Sequence, residues 1–288
     1  LPDMDIGQAR RSGARSLVIG VAPTGGALNP DWEHTLANAL DAGLDVISGL
    51  HTPLASLPRV ANAAYRSGSR LVDVRQPPDE LAVATGRRRS GRRLLTVGTD
   101  CCVGKKYTAL ALHRALRRAG IPATFRATGQ TGIMIAGAGI ALDAVPADFI
   151  SGAAEHLTPD NEPDHWDVIE GQGSLFHPAY APVTLGLLHG AQPDALVLCH
   201  DPGRDTLDDF PDFTVPPLDR CMERHLAAAR LTNPEARFVG ISVNTRDCSP
   251  GERQALLETV SAETGLPCVD PLARGVDALV EGLQSLTP

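Results

Sequence analysis

A glycine-bounded turn between an apolar run and a helix constrains this chain more than any other feature. Leu94, Leu95, Thr96 and Val97 form a short apolar, partly β-branched run, the pattern of a buried strand. Gly98 follows, then five residues, then Gly104 and Lys105. A helical pattern starts at once, with Leu112, Leu116 and Ala119 on one face and Gly120 as the stop. Strand, glycine-bounded loop with a lysine, then helix is the layout of a phosphate-binding loop. Backbone N–H groups and a helix N-terminus face the anion, and the lysine adds a mobile positive charge. The expected phosphate-side contacts are Gly98, Thr99, Asp100, Cys101, Gly104, Lys105, Lys106 and Thr108.

The loop departs twice from the common motif. That motif has four residues between its glycines and a Ser or Thr directly after the lysine, whose hydroxyl holds magnesium. Here there are five, and Lys106 stands at the hydroxyl position, with Tyr107 and Thr108 as the nearest hydroxyls. The longer spacing resembles dethiobiotin-synthetase-like loops, which also read Gly-Thr-Asp, three residues, Gly-Lys. The missing hydroxyl weighs against metal–nucleotide chemistry. A βα turn that binds nothing is the plain alternative.

Strands and helices alternate along the whole chain, which implies an α/β fold of parallel sheets with flanking helices. Aromatics at only 4%, against 43% hydrophobic residues, suit tight helix–sheet layers better than a β-sandwich. The division expected is a smaller sheet over residues 1–90 and a larger one over 91–288, with Gln76 to Gly91, rich in Pro, Gly and charge, as the boundary. A net charge of −8 excludes a nucleic-acid-coating surface. The basic run Arg87-Arg88-Arg89 with Arg92 and Arg93 reads as a solvated linker.

No segment has the length of a membrane helix, and Leu1 to Arg15 lacks a signal-peptide core, so a cytoplasmic protein without membrane partners is expected. The first residue is Leu1 rather than Met, as expected where native residues precede it. The cysteines Cys101, Cys102, Cys199, Cys221, Cys248 and Cys268 show no zinc spacing. They read as reduced, mostly buried thiols, and no metal-ligand set is assigned.

In the first region, Ser16–Val21, Leu44–Ile47 and Arg70–Val74 read as strands, with helices at Asp31–Ala42 and Leu57–Ser67. Ligands of parallel sheets sit beyond the carboxyl ends of the strands. Thr24, Gly25, Gly26 and His51 fall there and are candidate substrate contacts, although a lone His is more often structural. In the second region Ala123–Ala127 runs into a Gly/Thr-rich turn carrying Gln130 and Thr131, two further candidates. Ile133–Gly139 and Val145–Ile150 follow, and a helix begins at Ser151. Trp166–Ile169 is a strand ending in Glu170, Gly171, Gln172 and Gly173, with Ser174, His177 and Tyr180 beyond. An acid at that place polarises a water, a metal or the substrate in P-loop proteins. Ala195–Cys199, Phe238–Val243 and Pro267–Val269 are strands, and Leu218–Ala229, Pro250–Thr264 and Gly275–Leu286 helices. Arg204 follows the first of these strands. The acidic, Pro-rich Asp208–Pro217, with Phe210 and Phe213, reads as a loop that serves as a lid or a subunit contact.

Long ordered segments, among them GVAPTGGALNP, DAGLDVISGLHTPL, VGTDCCVGK, ATGQTGIMIAG, EGQGSLFHPAY and DALVLCH, resemble the D-glutamate N-acetyltransferase-like family, long known as a domain of unknown function. The resemblance implies an N-terminal Rossmann-like domain and a C-terminal P-loop domain of the dethiobiotin-synthetase kind. It also implies acetyl transfer from acetyl-CoA to the amine of a D-amino acid such as D-glutamate. Family members carry Met-Thr-Thr after the lysine where this chain has Lys106-Tyr107-Thr108, so one of two hydroxyls is lost.

Acetyl-CoA carries a pyrophosphate and a 3′-phosphate, either of which the loop suits. The acceptor amine must lose a proton before it attacks, and Glu170 or His177 is placed to take it. Gln172, or N–H groups from Gly171 to Ser174, would stabilise the oxyanion. Arg204 or Lys106 would pair with the acceptor's carboxylate. An acyl-cysteine route through Cys101 is a further alternative. The competing class is an ATP- and magnesium-dependent ligase or kinase of the dethiobiotin-synthetase type, with Asp100, Thr108 and Glu170 around the metal. A non-catalytic sensor is a third. Abundant small residues and the GLHTPL and LGLLHG stretches fit a homo-oligomer.

Overall fold

The computed structural model describes residues 2–21, 23 and 28–286. The first unit starts with α1 (Ile6–Arg11) and builds a three-stranded parallel sheet in the order β1 (Ser16–Val18), β2 (Asp45–Ser48), β3 (Leu71–Asp73). Its crossovers are α2 (Trp32–Asp41) and α3 (Pro58–Ser67). Leu36, Leu40, Val46, Leu54 and Val60 close a small core between these helices and the sheet. The first strand is shorter than the apolar run that announces it: of Ser16–Val21 only Ser16–Val18 is strand, with one further bond from Ile19 N to Ile47 O (2.9 Å).

The second unit holds β4 (Arg92–Gly98), α4 (Lys105–Arg118), β5 (Ala123–Arg126), α5 (Gln130–Ala136), α6 (Ile150–Leu157), β6 (Trp166–Ile169), α7 (Ala181–Ala191) and β7 (Ala195–His200). It continues with β8 (Thr206–Leu207), β9 (Phe210–Thr214), α8 (Leu218–Ala229), β10 (Arg237–Val243), α9 (Pro250–Thr264), β11 (Cys268–Val269) and α10 (Asp277–Gln284). Six strands form one parallel sheet, ordered β11-β10-β7-β4-β6-β5. Side chains alternate across a strand, so one run feeds two cores. Leu95, Val97, Leu196, Leu198 and Ile241 pack with α6 and α7. Leu94, Val168, Ala195, Val197 and Val239 pack with α4 and α10. Burial on both faces is why β7 and the middle of β4 are mostly apolar, while the Asp167 inside β6 is buried against Arg126.

Two sequence expectations need correction here. Asp208–Pro217 is not a loop: β8 and β9 make an antiparallel hairpin, with Leu207 opposite Phe210. Only Leu207 of the two strands is buried, so no alternating apolar pattern betrays it. The cysteines are less buried than expected: Cys199 and Cys221 are buried, Cys102 is exposed, and the others are intermediate.

The basic linker is not solvated along its length either. Arg89 and Arg93 are 4% and 1% exposed. Helix α7 ends with carbonyls that lack intrahelical donors. Arg89 Nη2 donates to Gly190 O (2.7 Å) and Ala191 O (3.1 Å), and Arg88 and Arg93 donate to Gln192 O. Cations suit that end of a helix. Residues 81–89 therefore lie on the second unit, where the Thr85 and Gly86 N–H groups also bond Glu155. Among the described residues, no helix is long and apolar enough to cross a membrane.

Arg89→Ala leaves the α7 carbonyls without their donor and is expected to cost roughly 2–4 kcal/mol of stability, read from urea unfolding. Arg87→Ala removes only an exposed pair with Asp160 and should leave the unfolding midpoint unchanged. Equal midpoints for both variants would refute the capping role.

Candidate active site

The loop after β4 turns because Gly104, at φ 103°, sits in left-handed backbone as the cap of α4. No side chain caps that helix. The N–H groups of Lys105, Lys106 and Tyr107 thus open on the loop without intrahelical acceptors. Lys105 is 6% exposed and its Nζ donates to Asp100 O at 2.7 Å. A cavity of about 490 Å³ extends from this turn. Its walls are Cys102 to Thr108, Gly171, Asn244 and Arg246 after β10, and Asp270 to Leu272 after β11. All lie at carboxyl ends of parallel strands or at the helix that follows one, where such sheets bind ligands.

Glu170 ends β6 beside this loop and is 5% exposed. Its Oε2 accepts from Thr128 N (3.0 Å) and Gly129 N (3.1 Å), and its carbonyl accepts from Thr128 Oγ1 (2.7 Å). The carboxylate thus sits under the first turn of α5. A Cβ at Gly132 would lie 2.0 Å from Oε2, so that turn must carry a glycine to admit it. A Cβ at Gly171 would lie 1.7 Å from Thr96 O, so a glycine is needed to bring the next residues against β4. Burial pushes the Glu170 carboxyl up, against the lowering effect of the two N–H donors and of Lys106 and Lys105.

The first unit reaches this point through α5. A Cβ on Gly49, just past β2, would stand 2.7 Å from Gln130 Cβ, so the turn packs directly on that side chain. Arg75, two residues past β3, donates from Nη2 to Gln130 Oε1 (3.2 Å) and to Asp143 Oδ2 (2.5 Å). The carboxyl ends of both sheets therefore meet at the start of α5. The sequence reading missed Arg75; its position one turn past a strand of the small sheet was the available signal.

Some of the other candidates are exposed or lie near Glu170, and others are already engaged. Gln172 donates from Nε2 to Thr128 O (2.7 Å) beside Glu170, and Thr131 is exposed on the first turn of α5. His51 is exposed on the turn after β2. Thr24, Gly25 and Gly26 lie outside the described residues.

His177 cannot serve as the base in this arrangement. Its Nδ1 accepts from Ala179 N and Tyr180 N, and its Nε2 donates to Asp208 O at 3.1 Å, so no lone pair is left for a proton. Arg204 is not available for a substrate carboxylate. Its Nη1 bonds Asp100 Oδ2 at 3.0 Å and lies 3.3 Å from Asp208, with Asp201 3.8 Å from Nε. Asp100 is fully buried: Oδ2 also accepts from Asp208 N, and Oδ1 from Cys101 N. It shapes the loop and does not reach a ligand.

Thr99 and Ser174 are likewise sealed. The Thr99 hydroxyl bonds His200 Nδ1, and Ser174 Oγ donates to Thr99 O (3.1 Å) and accepts from Phe176 N. Gly171 N is spent on Thr96 Oγ1 (3.0 Å), which removes it as an oxyanion donor. Burial pushes the Cys101 thiol up to about 12, so it offers no thiolate for an acyl-cysteine route. Ligand atoms of Asp100, Cys101 and His177 do approach within 4.8 Å of one another. The bonds just described already engage both Asp100 oxygens and both His177 ring nitrogens, so the group does not fit a metal. The hairpin β8–β9 supplies the partners: Asp208 bonds both Asp100 and His177, and the Phe210 ring stands edge-on to the His177 ring.

Comparison with known proteins agrees with this architecture. The family model described as a Rossmann-like domain of unknown function, DUF1611_N, matches residues 1–77. The companion model, described as the P-loop domain DUF1611_C, matches residues 81–280. A protein of Tritonibacter scottomollicae named D-glutamate N-acetyltransferase is 49% identical over 99% of this chain and 86% of its own. A protein of Pseudoalteromonas sp. with the same name is 47% identical over 98% and 85%. The crystal structure of a DUF1611 family protein from Anabaena variabilis superposes with a TM-score of 0.91 at 39% identity, covering 98% of this chain and 83% of that one. A Rossmann-like sheet joined to a P-loop sheet, with these relatives along nearly its full length, makes the chain a member of the DUF1611 or D-glutamate N-acetyltransferase-like family, an enzyme of the acyltransferase class.

Proposed function

We propose that the protein moves the acetyl group of acetyl-CoA to the amine of a D-amino acid, D-glutamate or a close relative, with the P-loop cavity receiving the phosphates of the donor. The observation that carries this reading is the placement of Glu170. It is a buried carboxylate with raised proton affinity, set between the lysines of a phosphate loop and the point where the second sheet arrives. The names of the two bacterial relatives supply the acceptor class.

An ammonium has no lone pair and cannot attack a thioester. Glu170 takes the proton; a carboxylate raised toward neutral pH is a better base than an ordinary one. The freed amine attacks the carbonyl carbon and the C–N bond forms; the C–S bond then breaks, and the extra proton on the new amide nitrogen passes to the departing thiolate of CoA. Lys105 turns from the Asp100 carbonyl to the donor's pyrophosphate, and the first-turn N–H groups of α4 complete the cradle. The cavity between Tyr107 and Leu272 offers room for the nucleotide end, with Arg246 at its rim. Arg75, Gln130 and Thr131 line the acceptor side.

Two variants test this. Lys105→Ala should raise KM for acetyl-CoA roughly 10- to 100-fold with a smaller change in kcat. Glu170→Gln should keep donor affinity within about twofold while lowering kcat roughly 10²- to 10⁴-fold, measured as acceptor-dependent thiol release. In the parent enzyme kcat/KM should fall as pH drops through the raised Glu170 pKa, because the protonated acid is no base. That acid limb should vanish in Glu170→Gln. A retained limb, or undiminished turnover, removes Glu170 from the reaction. ATP and magnesium consumption with no use of acetyl-CoA would instead select the ligase.

A further inference from the structure

We propose that Lys106 does the work of a divalent cation at the phosphate loop, so that the protein binds the diphosphate of its donor without metal. The proposal deepens the donor reading above and names how that site neutralises its ligand.

A phosphate loop of the usual kind places a Ser or Thr hydroxyl after its lysine to hold magnesium against the phosphates. Here that place, in the first turn of α4, belongs to Lys106, which lines the cavity. The neighbouring hydroxyls do not replace it. Tyr107 is 53% exposed and lies under the Lys106 ammonium, 5.1 Å from Nζ to the ring centre. Thr108 is fully buried, and its Oγ1 is shared between Gly104 O (3.1 Å) and Ser242 Oγ (2.8 Å).

Of the carboxylates around the cavity, Asp100 and Asp270 are committed, and Glu170 keeps only Oε1 open. Both oxygens of Asp100 are filled, one of them by Arg204. Asp270 accepts from Thr245, Leu272 and Ala273. Glu170 points Oε2 into two backbone N–H groups, and its charge is already felt by Lys106 and Lys105. One open carboxylate oxygen, with no free hydroxyl beside it and two ammonium groups nearby, does not fit magnesium.

The charge balance points the same way. Helix α4 begins with two lysines and has no acid in its first turn. Cations at a helix N-terminus oppose the helix dipole. Two of them side by side, with Glu170 near both and Arg246 across the cavity beside Asp247 and Asp201, leave a basic lining that suits a polyanion. A magnesium ion would add two more positive charges to it. An ammonium at position 106 delivers one charge and up to three N–H donors with no coordination sphere to fill.

The test is calorimetric titration of the full chain with inorganic pyrophosphate and separately with CoA, each in EDTA and with magnesium. The parent protein should bind both at least as tightly in EDTA. Lys106→Met should weaken both roughly 10- to 100-fold, and Lys106→Arg should restore most of the loss. Lys106→Thr should bind weakly in EDTA and recover with magnesium. Parent binding that requires magnesium, or Lys106→Met binding as tightly as the parent, overturns the proposal. Circular dichroism identifies a variant that fails to fold, and the EDTA comparison on the parent then decides alone. Pyrophosphate binding of the expected pattern with no CoA binding would overturn the acetyl-CoA reading and leave the role of Lys106 standing. CoA binding only with magnesium would do the reverse.

Discussion

The hydrogen bonds from Thr128 N and Gly129 N to Glu170 join three parts of the molecule at one carboxylate. They tie the end of β6 to the end of β5. They fix the start of α5, the element on which the small sheet rests through Gly49 and Arg75. They also hold a charge next to the phosphate loop that burial would otherwise protonate. Glycine at 132 is a condition of that geometry, because any side chain there would occupy the carboxylate's space.

The phosphate loop is held from its other flank by the hairpin. Arg204 and the Asp208 N–H close on Asp100, and Asp208 O engages His177, whose ring stacks on Tyr180 at 4.6 Å. Polar groups that look reactive in a sequence are here consumed in shaping a turn. Such full satisfaction is what a buried polar network requires, since each unpaired member would cost more than its bond returns. What remains for chemistry is a smaller set: Glu170, the lysines and N–H groups of α4, and the side chains where the two sheets meet.

Much of the fold was legible because parallel strands buried on both faces must be apolar throughout. Leu94–Val97 and Ala195–Cys199 announce themselves in that way, and Trp166–Ile169 does so despite the buried Asp167. Glu170 was legible as an acid at a strand end with glycines at 171 and 173. The hairpin was not: Phe210–Thr214 contains Pro211 and Asp212 and buries almost nothing. The arginines of the linker misled because their acceptors, the carbonyls of Gly190 and Ala191, lie a hundred residues downstream. His177, Ser174 and Arg204 were chosen for their chemistry, and no local pattern shows that a partner elsewhere has already claimed it. Arg75 went unseen because it belongs to one unit and acts on the other.

The phosphate loop has a consequence for how such an enzyme runs. In the proposed reaction, a cradle made from α4 N–H groups, Lys105 and Lys106 would grip the part of the donor that acetyl transfer leaves untouched. Acetylated and spent carrier present the same phosphates to it, so the loop by itself does not tell fuel from exhaust. Under the proposed reaction, the rate then follows the ratio of acetyl-CoA to free CoA rather than the amount of acetyl-CoA alone. The enzyme would slow when the acetylated pool is depleted even while its amino-acid substrate is plentiful, with no dedicated regulatory site.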